Sequence, residues 1–153
     1  DCWVQLPPLL FERQGCSAFV LEDKIVVLGG RNETGALSAV EQFVDGAWES
    51  LADMPSERGM CPGVVMHDKV LLVGGQDDAH DPLHEVEEWD PATGLWATLC
   101  ELPFHRQCFG VALWNGKITV VGGFEDDSVE FVEQWDADTG LWTAGPALPM
   151  PRA

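Results

Sequence analysis

The chain has 153 residues, with 8 basic against 26 acidic side chains and a formal charge of −18. That charge opposes approach to phosphate backbones and anionic lipid, which argues against nucleic acid or a membrane surface as partner. No apolar run approaches the ~20 residues that span a bilayer, and the length suffices for one core burying roughly 70% of the unfolded surface.

From the N-terminus, Cys2-Trp3-Val4 is predicted as a strand, with a linker running to residue 12. After Arg13, the run Cys16 to Leu21 is a second strand, and Glu22-Asp23 turns the chain into Lys24-Ile-Val-Val-Leu-Gly-Gly30. The aliphatic run in that stretch lacks two-fold alternation and reads as a strand covered on both faces. Gly29 and Gly30 end it, because without Cβ they permit φ > 0 and leave room for a neighbouring element. A polar loop from Arg31 to Ser38 precedes Val40-Glu41-Gln42-Phe43, whose alternation is that of a strand with one solvated face. Asp45-Gly46 turns into a fourth strand near Trp48, and Met54-Pro55 ends it, since proline removes a backbone donor.

The same order recurs twice. Arg58, Cys61 to Met66, His67-Asp68, Lys69 to Gly75, the acidic loop Gln76 to His84, Val86 to Trp89, Asp90 to Trp96 and Leu102-Pro103 form the second unit. Arg106, Cys108 to Trp114, Asn115-Gly116, Lys117 to Gly123, the loop Phe124 to Ser128, Val132 to Trp135, Asp136 to Trp142 and Leu148-Pro149 form the third. Asn-Gly is the strongest two-residue hairpin signal. Gly29, Gly74 and Gly122 are 45 and 48 residues apart, a period that marks one supersecondary unit stacked several times. Four antiparallel strands per unit, with large aromatics at fixed places, read as propeller blades. The expectation is therefore an all-β partial propeller: three four-stranded blades (13–57, 58–105 and 106–153) and one extra N-terminal strand within 1–12, about half of a six-bladed ring. Gly29, Gly30, Gly74, Gly75, Gly122 and Gly123 are assigned structural roles, as are Trp48, Trp96 and Trp142, each large enough to span the gap between blades.

A glycine pair closing a hydrophobic strand, an aromatic 12 to 14 residues later (Phe43, Trp89, Trp135) and a tryptophan five or seven beyond that resemble the kelch repeat over essentially the whole chain. Kelch units usually carry tyrosine at that first aromatic, and this chain has no tyrosine. The resemblance implies a protein-protein interaction module rather than an enzyme, with no cofactor. Such modules are often the substrate-recognition part of a ubiquitin-ligase adaptor of the F-box or BTB type, and the resemblance implies that role here. A metal-dependent kelch enzyme of specifier type and a purely architectural scaffold are the alternatives. The metal reading looks to Asp77, Asp78, His80, Asp81 and His84 in the second loop, where oxygen and imidazole ligands would suit iron, manganese or zinc.

In such a meander the loops joining second to third strands share a face with the connectors between units, and binding falls on such loops. A protein or peptide partner is therefore expected at Arg13, Arg58, Arg106 and Arg152, where similar kelch domains grip acidic peptides, and at Asp77, Asp78, Glu125 and Asp126. Intramolecular salt bridges between blades are the competing role for the arginines; the face would then be acidic and favour a basic partner. Three blades do not close a ring, so a second copy or further kelch repeats are expected to complete it. Cys2, Cys16, Cys61, Cys100 and Cys108 contain no Cys-x-x-Cys pair and read as reduced thiols of a protein of the cytoplasm or nucleus, with Cys16, Cys61 and Cys108 as small apolar strand residues.

Overall fold

The computed structural model describes residues 2–124 and 127–152. Fourteen strands and no helix are present among them. The first sheet contains β1 (Ser17–Leu21), β2 (Lys24–Leu28), β5 (Val40–Val44) and β6 (Ala47–Ser50), paired in that order. A two-stranded hairpin, β3 (Arg31–Asn32) and β4 (Gly35–Ala36), interrupts the loop after β2. The second sheet orders β7 (Gly63–Met66), β8 (Lys69–Gln76), β9 (Pro82–Asp90) and β10 (Leu95–Glu101). The third orders β11 (Gly110–Trp114), β12 (Lys117–Val121), β13 (Val132–Asp136) and β14 (Leu141–Ala144). Every pairing is antiparallel, so each sheet is the expected meander.

Turn chemistry fixes the registers. Glu22-Asp23, His67-Asp68 and Asn115-Gly116 have positive φ at both residues, as a two-residue hairpin loop of matching twist requires. The turns after β9 and β13 are longer and closed alike. The Asp90 carboxylate accepts the amides of Ala92 (2.9 Å) and Thr93 (3.3 Å), and Asp136 accepts those of Asp138 (3.0 Å) and Thr139 (3.3 Å). This register sets Phe43 opposite Trp48, Trp89 opposite Trp96 and Trp135 opposite Trp142. The three tryptophans of the fourth strands are half-buried.

The core lies between sheets rather than within them. Val70 and Leu72 point from β8 toward the first sheet, where, together with Trp89 of β9, they join Val26, Leu28 and Val40. Leu71 and Val73 point the other way and join Ile118, Val120 and Trp135. All four β8 residues are fully buried, which is why the strand shows no alternation in sequence. The first strands of neighbouring sheets also touch, β7 against both β1 and β11, so the three sheets converge along one edge.

Two expectations are corrected. Cys2-Trp3-Val4 forms no strand, and Trp3 and Val4 are exposed. A fourth-type strand pairs with the third strand of its own blade, and these residues meet none. The segment after them instead lies on the first sheet, with the Trp48 indole donating to the Pro7 carbonyl at 2.9 Å. The glycine pair also does not end β8, which passes through Gly74-Gly75 as a bulge and pairs again at Gly75 with Leu83 and at Gln76 with Pro82.

Candidate partner-binding face

The glycine pair explains where the arginines go. In each unit both glycines have positive φ, and a Cβ built on Gly29 would lie 2.5 Å from the Arg58 carbonyl oxygen. The backbone at this place comes too close for any side chain. It leaves the carbonyl of the first glycine facing inward, and a guanidinium donates to it: Arg13 to Gly29 (2.7 Å), Arg58 to Gly74 (3.1 Å) and Arg106 to Gly122 (3.1 Å).

Each of these three arginines also meets one glutamate from the third strand of its own sheet. Arg13 pairs with Glu41, Arg58 with Glu87 at 3.0 Å and Arg106 with Glu133 at 2.6 Å. All six side chains are buried. The pairs differ in completeness. Glu41 additionally accepts the backbone amides of Leu10 (2.7 Å) and Phe11 (3.2 Å), which fastens the N-terminal segment to the first sheet. Glu133 accepts a hydrogen bond from Arg106, whereas Oε2 of Glu87 has its ion pair but no well-aligned donor. Burial accordingly pushes the Glu87 carboxyl above its ordinary value, against the opposing pull of Arg58.

This arrangement corrects the expected arginine row. Arg13, Arg58 and Arg106 are spent on internal carboxylates and carbonyls, and the salt bridges run within a blade rather than between blades as expected, because each glutamate comes from the third strand of the arginine's own unit. Arg152 differs, being exposed and held by its backbone, which receives the Gly123 amide (2.7 Å) and donates to Val129 (3.1 Å). Its side chain has no ion pair among the described residues.

Asp77 and Asp78 tie loops together. The Arg31 guanidinium donates to the carbonyls of Asp77 (2.6 Å) and Asp78 (3.0 Å), and the Asp78 carboxylate accepts the Ala36 amide (2.8 Å) while staying largely exposed. The Asp77 carboxylate takes the Asp81 amide (2.9 Å), closing its loop on itself. Among the described residues no three His, Cys, Asp or Glu side chains converge as metal ligands would. Glu125 and Asp126 lie outside the described residues.

The third-strand glutamates were legible only as solvated strand positions. The signal that identifies them is spacing, one glutamate 28, 29 and 27 residues after Arg13, Arg58 and Arg106. The cysteines depart from expectation too, for Cys16 and Cys108 are exposed, and neither they nor Cys61 lie in a strand. Cys61 is buried, and desolvation pushes its thiol up to about 11, so no reactive thiolate exists there at neutral pH.

Comparison with known proteins agrees with this geometry. The Kelch motif family matches residues 12–55 and 57–99. Kelch-like protein 23 of Homo sapiens is 40% identical over 50 residues, which is 32% of this chain and 9% of that protein. Kelch-like protein 23 of Mus musculus is 38% identical over the same shares. The chain thus covers only 9% of the length of these relatives. The solved structure of YjhT superposes with a TM-score of 0.77 at 17% identity, over 94% of this chain and 54% of that one, a likeness of fold. With its glycine pairs, stacked four-stranded sheets and matched repeats, the chain belongs to the kelch-motif family and forms part of a kelch-type β-propeller.

Proposed function

We propose that the chain is a protein-recognition module that takes a basic segment of its partner on the loop face, and that it serves as the substrate-recognition part of a ubiquitin-ligase adaptor or a similar scaffold in the cytoplasm or nucleus. The observation that carries the reading is the burial of Arg13, Arg58 and Arg106 in ion pairs. The cations that could have made this face attractive to acidic peptides are neutralised inside, while the loops that vary between units keep exposed carboxylates such as Glu33, Asp78 and Asp81. A chain of charge −18 then steers a basic segment toward it.

Affinity purification of the protein from its source cells, with mass spectrometry of what accompanies it, tests the reading. Co-purification of a ubiquitin-ligase scaffold together with a partner whose recovery falls when Glu33 and Asp81 are changed to lysine supports it. Partners recovered without ligase components would instead make the protein an architectural scaffold. Recovery indifferent to the charge reversal would remove the loop face from the account.

A further inference from the structure

Away from the loop face, a cavity of about 310 Å³ opens between the first and second sheets. Buried Leu21, Val26 and Trp89, with partly buried Leu51 and Val65, give it an apolar lining. Residues of the turns after β1, β7 and β9 stand at its mouth, and in each meander these turns lie at the end opposite the loops. Its volume is in the range of small-molecule sites, roughly 300–1,000 Å³. Both walls are sheets of this chain, so no further blade is needed to form it.

The cavity holds an unmatched cation. The second strand of each sheet opens on a lysine, Lys24, Lys69 or Lys117. Lys69 pairs with Glu88 at 2.6 Å and Lys117 with Asp136 at 2.9 Å, both carboxylates of the adjacent third strand. The registers put Gln42 at the place of Glu88 and Val44 at the place of Asp136 in the first sheet. Gln42 donates instead to Glu49 at 3.3 Å. Lys24, partly buried, therefore has no ion pair among the described residues, and it lines the cavity together with Gln42. The first sheet keeps the lysine of the repeat and lacks its carboxylate. Glu22 and Asp68 also line the mouth, but both are exposed on hairpin turns and neither is within ion-pair distance of Lys24. Salt screens such solvated charges over about 8–10 Å, whereas a partly buried ammonium is screened less.

We propose that this cavity binds a small apolar monocarboxylic acid. Its carboxylate accepts from the Lys24 ammonium, as Glu88 does from Lys69, and its hydrocarbon body lies against Trp89, Leu21 and Val26. The apolar walls supply affinity in proportion to the hydrocarbon they bury, which an acid as small as acetate does not offer. The charge-assisted hydrogen bond from the lysine distinguishes the acid from its neutral amide. The site is separate from the loop face and does not rest on the reading of that face as the place of a basic partner.

The test is equilibrium dialysis of the whole chain against 2-naphthoate, beside 2-naphthamide, 2-naphthylmethylamine and acetate, a measurement that reads binding whether or not the chain self-associates. 2-Naphthoate should bind about tenfold tighter than the amide or the amine, and acetate should not displace it. Lys24→Met, which keeps the stem and removes the charge, should reduce naphthoate binding to the level of the amide with an unchanged melting temperature. Lys24→Arg should retain binding. Gln42→Glu combined with Glu49→Ala copies Glu88 and Ala97, which face each other in the second sheet. That variant should occupy Lys24 from within and weaken naphthoate several-fold while leaving the amide unaffected. Asp68→Asn, which removes a like charge from the mouth, should strengthen naphthoate binding. Equal affinity for acid and amide, or tighter binding of the amine, overturns the assignment. So does naphthoate binding that survives both Lys24→Met and the Gln42→Glu, Glu49→Ala variant, and so does the absence of naphthoate binding at millimolar concentration.

Discussion

Nη2 of Arg58 and Oε2 of Glu87 lie 3.0 Å apart with both side chains buried, so each neutralises a charge that could not otherwise remain inside the protein. Arg58→Ala should therefore cost about 3–5 kcal/mol, the penalty for stranding a buried charge. Arg58→Met with Glu87→Leu should recover most of that loss. Urea denaturation of the three proteins is the measurement, and an unmoved midpoint in Arg58→Ala would contradict an internal role.

The Glu87 carboxyl, raised by burial above its ordinary value of 4.5, gives the pH dependence a definite sign. The folded state holds this proton more tightly than the unfolded chain. Its stabilising contribution is thus fully present below pH 4.5 and declines as pH rises through the folded value. The destabilisation caused by Glu87→Gln should be larger at pH 4 than at pH 7. An equal penalty at both pH values would show that Arg58 holds Glu87 at its ordinary value.

Gly74 has φ of +56°, and a Cβ there would meet the Leu83 carbonyl oxygen at 2.7 Å. Gly74→Val combines positive-φ strain with a backbone clash and should lower stability by roughly 2 kcal/mol or more. A thermal midpoint within experimental error of wild type would refute this geometry.

The second residue after the arginine is left-handed in every unit: Gly15 at +60°, Met60 at +50° and Cys108 at +57°. The first unit uses glycine, whereas the other two force an L side chain into a conformation costing about 1–2 kcal/mol. Cys108→Gly should stabilise the protein by about 0.5–1 kcal/mol, the strain relieved less the entropy glycine adds to the unfolded chain. Calorimetry showing a lowered midpoint would mean that the exposed cysteine makes contacts worth more than its strain.

The accessible surface is 8837 Å² for a chain of 16.8 kDa, against about 7,600 Å² for a compact monomer of that mass. Trp114 on β11 and Leu141 on β14 are exposed on the outer sheet. The chain studied alone at micromolar concentration should dimerise or aggregate through such surface. Sedimentation giving one monomeric species with a cooperative melt would show that the outer sheets need no cover.

The strands were legible because three units repeat the same turns and apolar runs, so each confirmed the register of the others. The fate of Glu41, Glu87 and Glu133 was hidden by the alternation itself, which reads the same whether the polar side meets water or a guanidinium. Met60 and Cys108 gave no hint of left-handed backbone, since only Gly15 advertises it by residue type. The stacking of Phe104 on Phe131 depends on the path of a connector, which neither propensity nor period encodes. Cys2-Trp3-Val4 has the composition of a strand and lacks only a neighbour to pair with, something no local pattern reports.

The division of β8, with Val70 and Leu72 turned to one neighbour and Leu71 and Val73 to the other, places cohesion in the junctions. Three sheets in an open row share two junctions, and stability in such an array is approximately a sum over nearest neighbours. Loss of the middle sheet would dissolve both at once, whereas fraying of an outer sheet dissolves one. Amide hydrogen exchange should accordingly be slowest in β8 and fastest in β6 and β14, and the protein should unfold from its outer sheets inward.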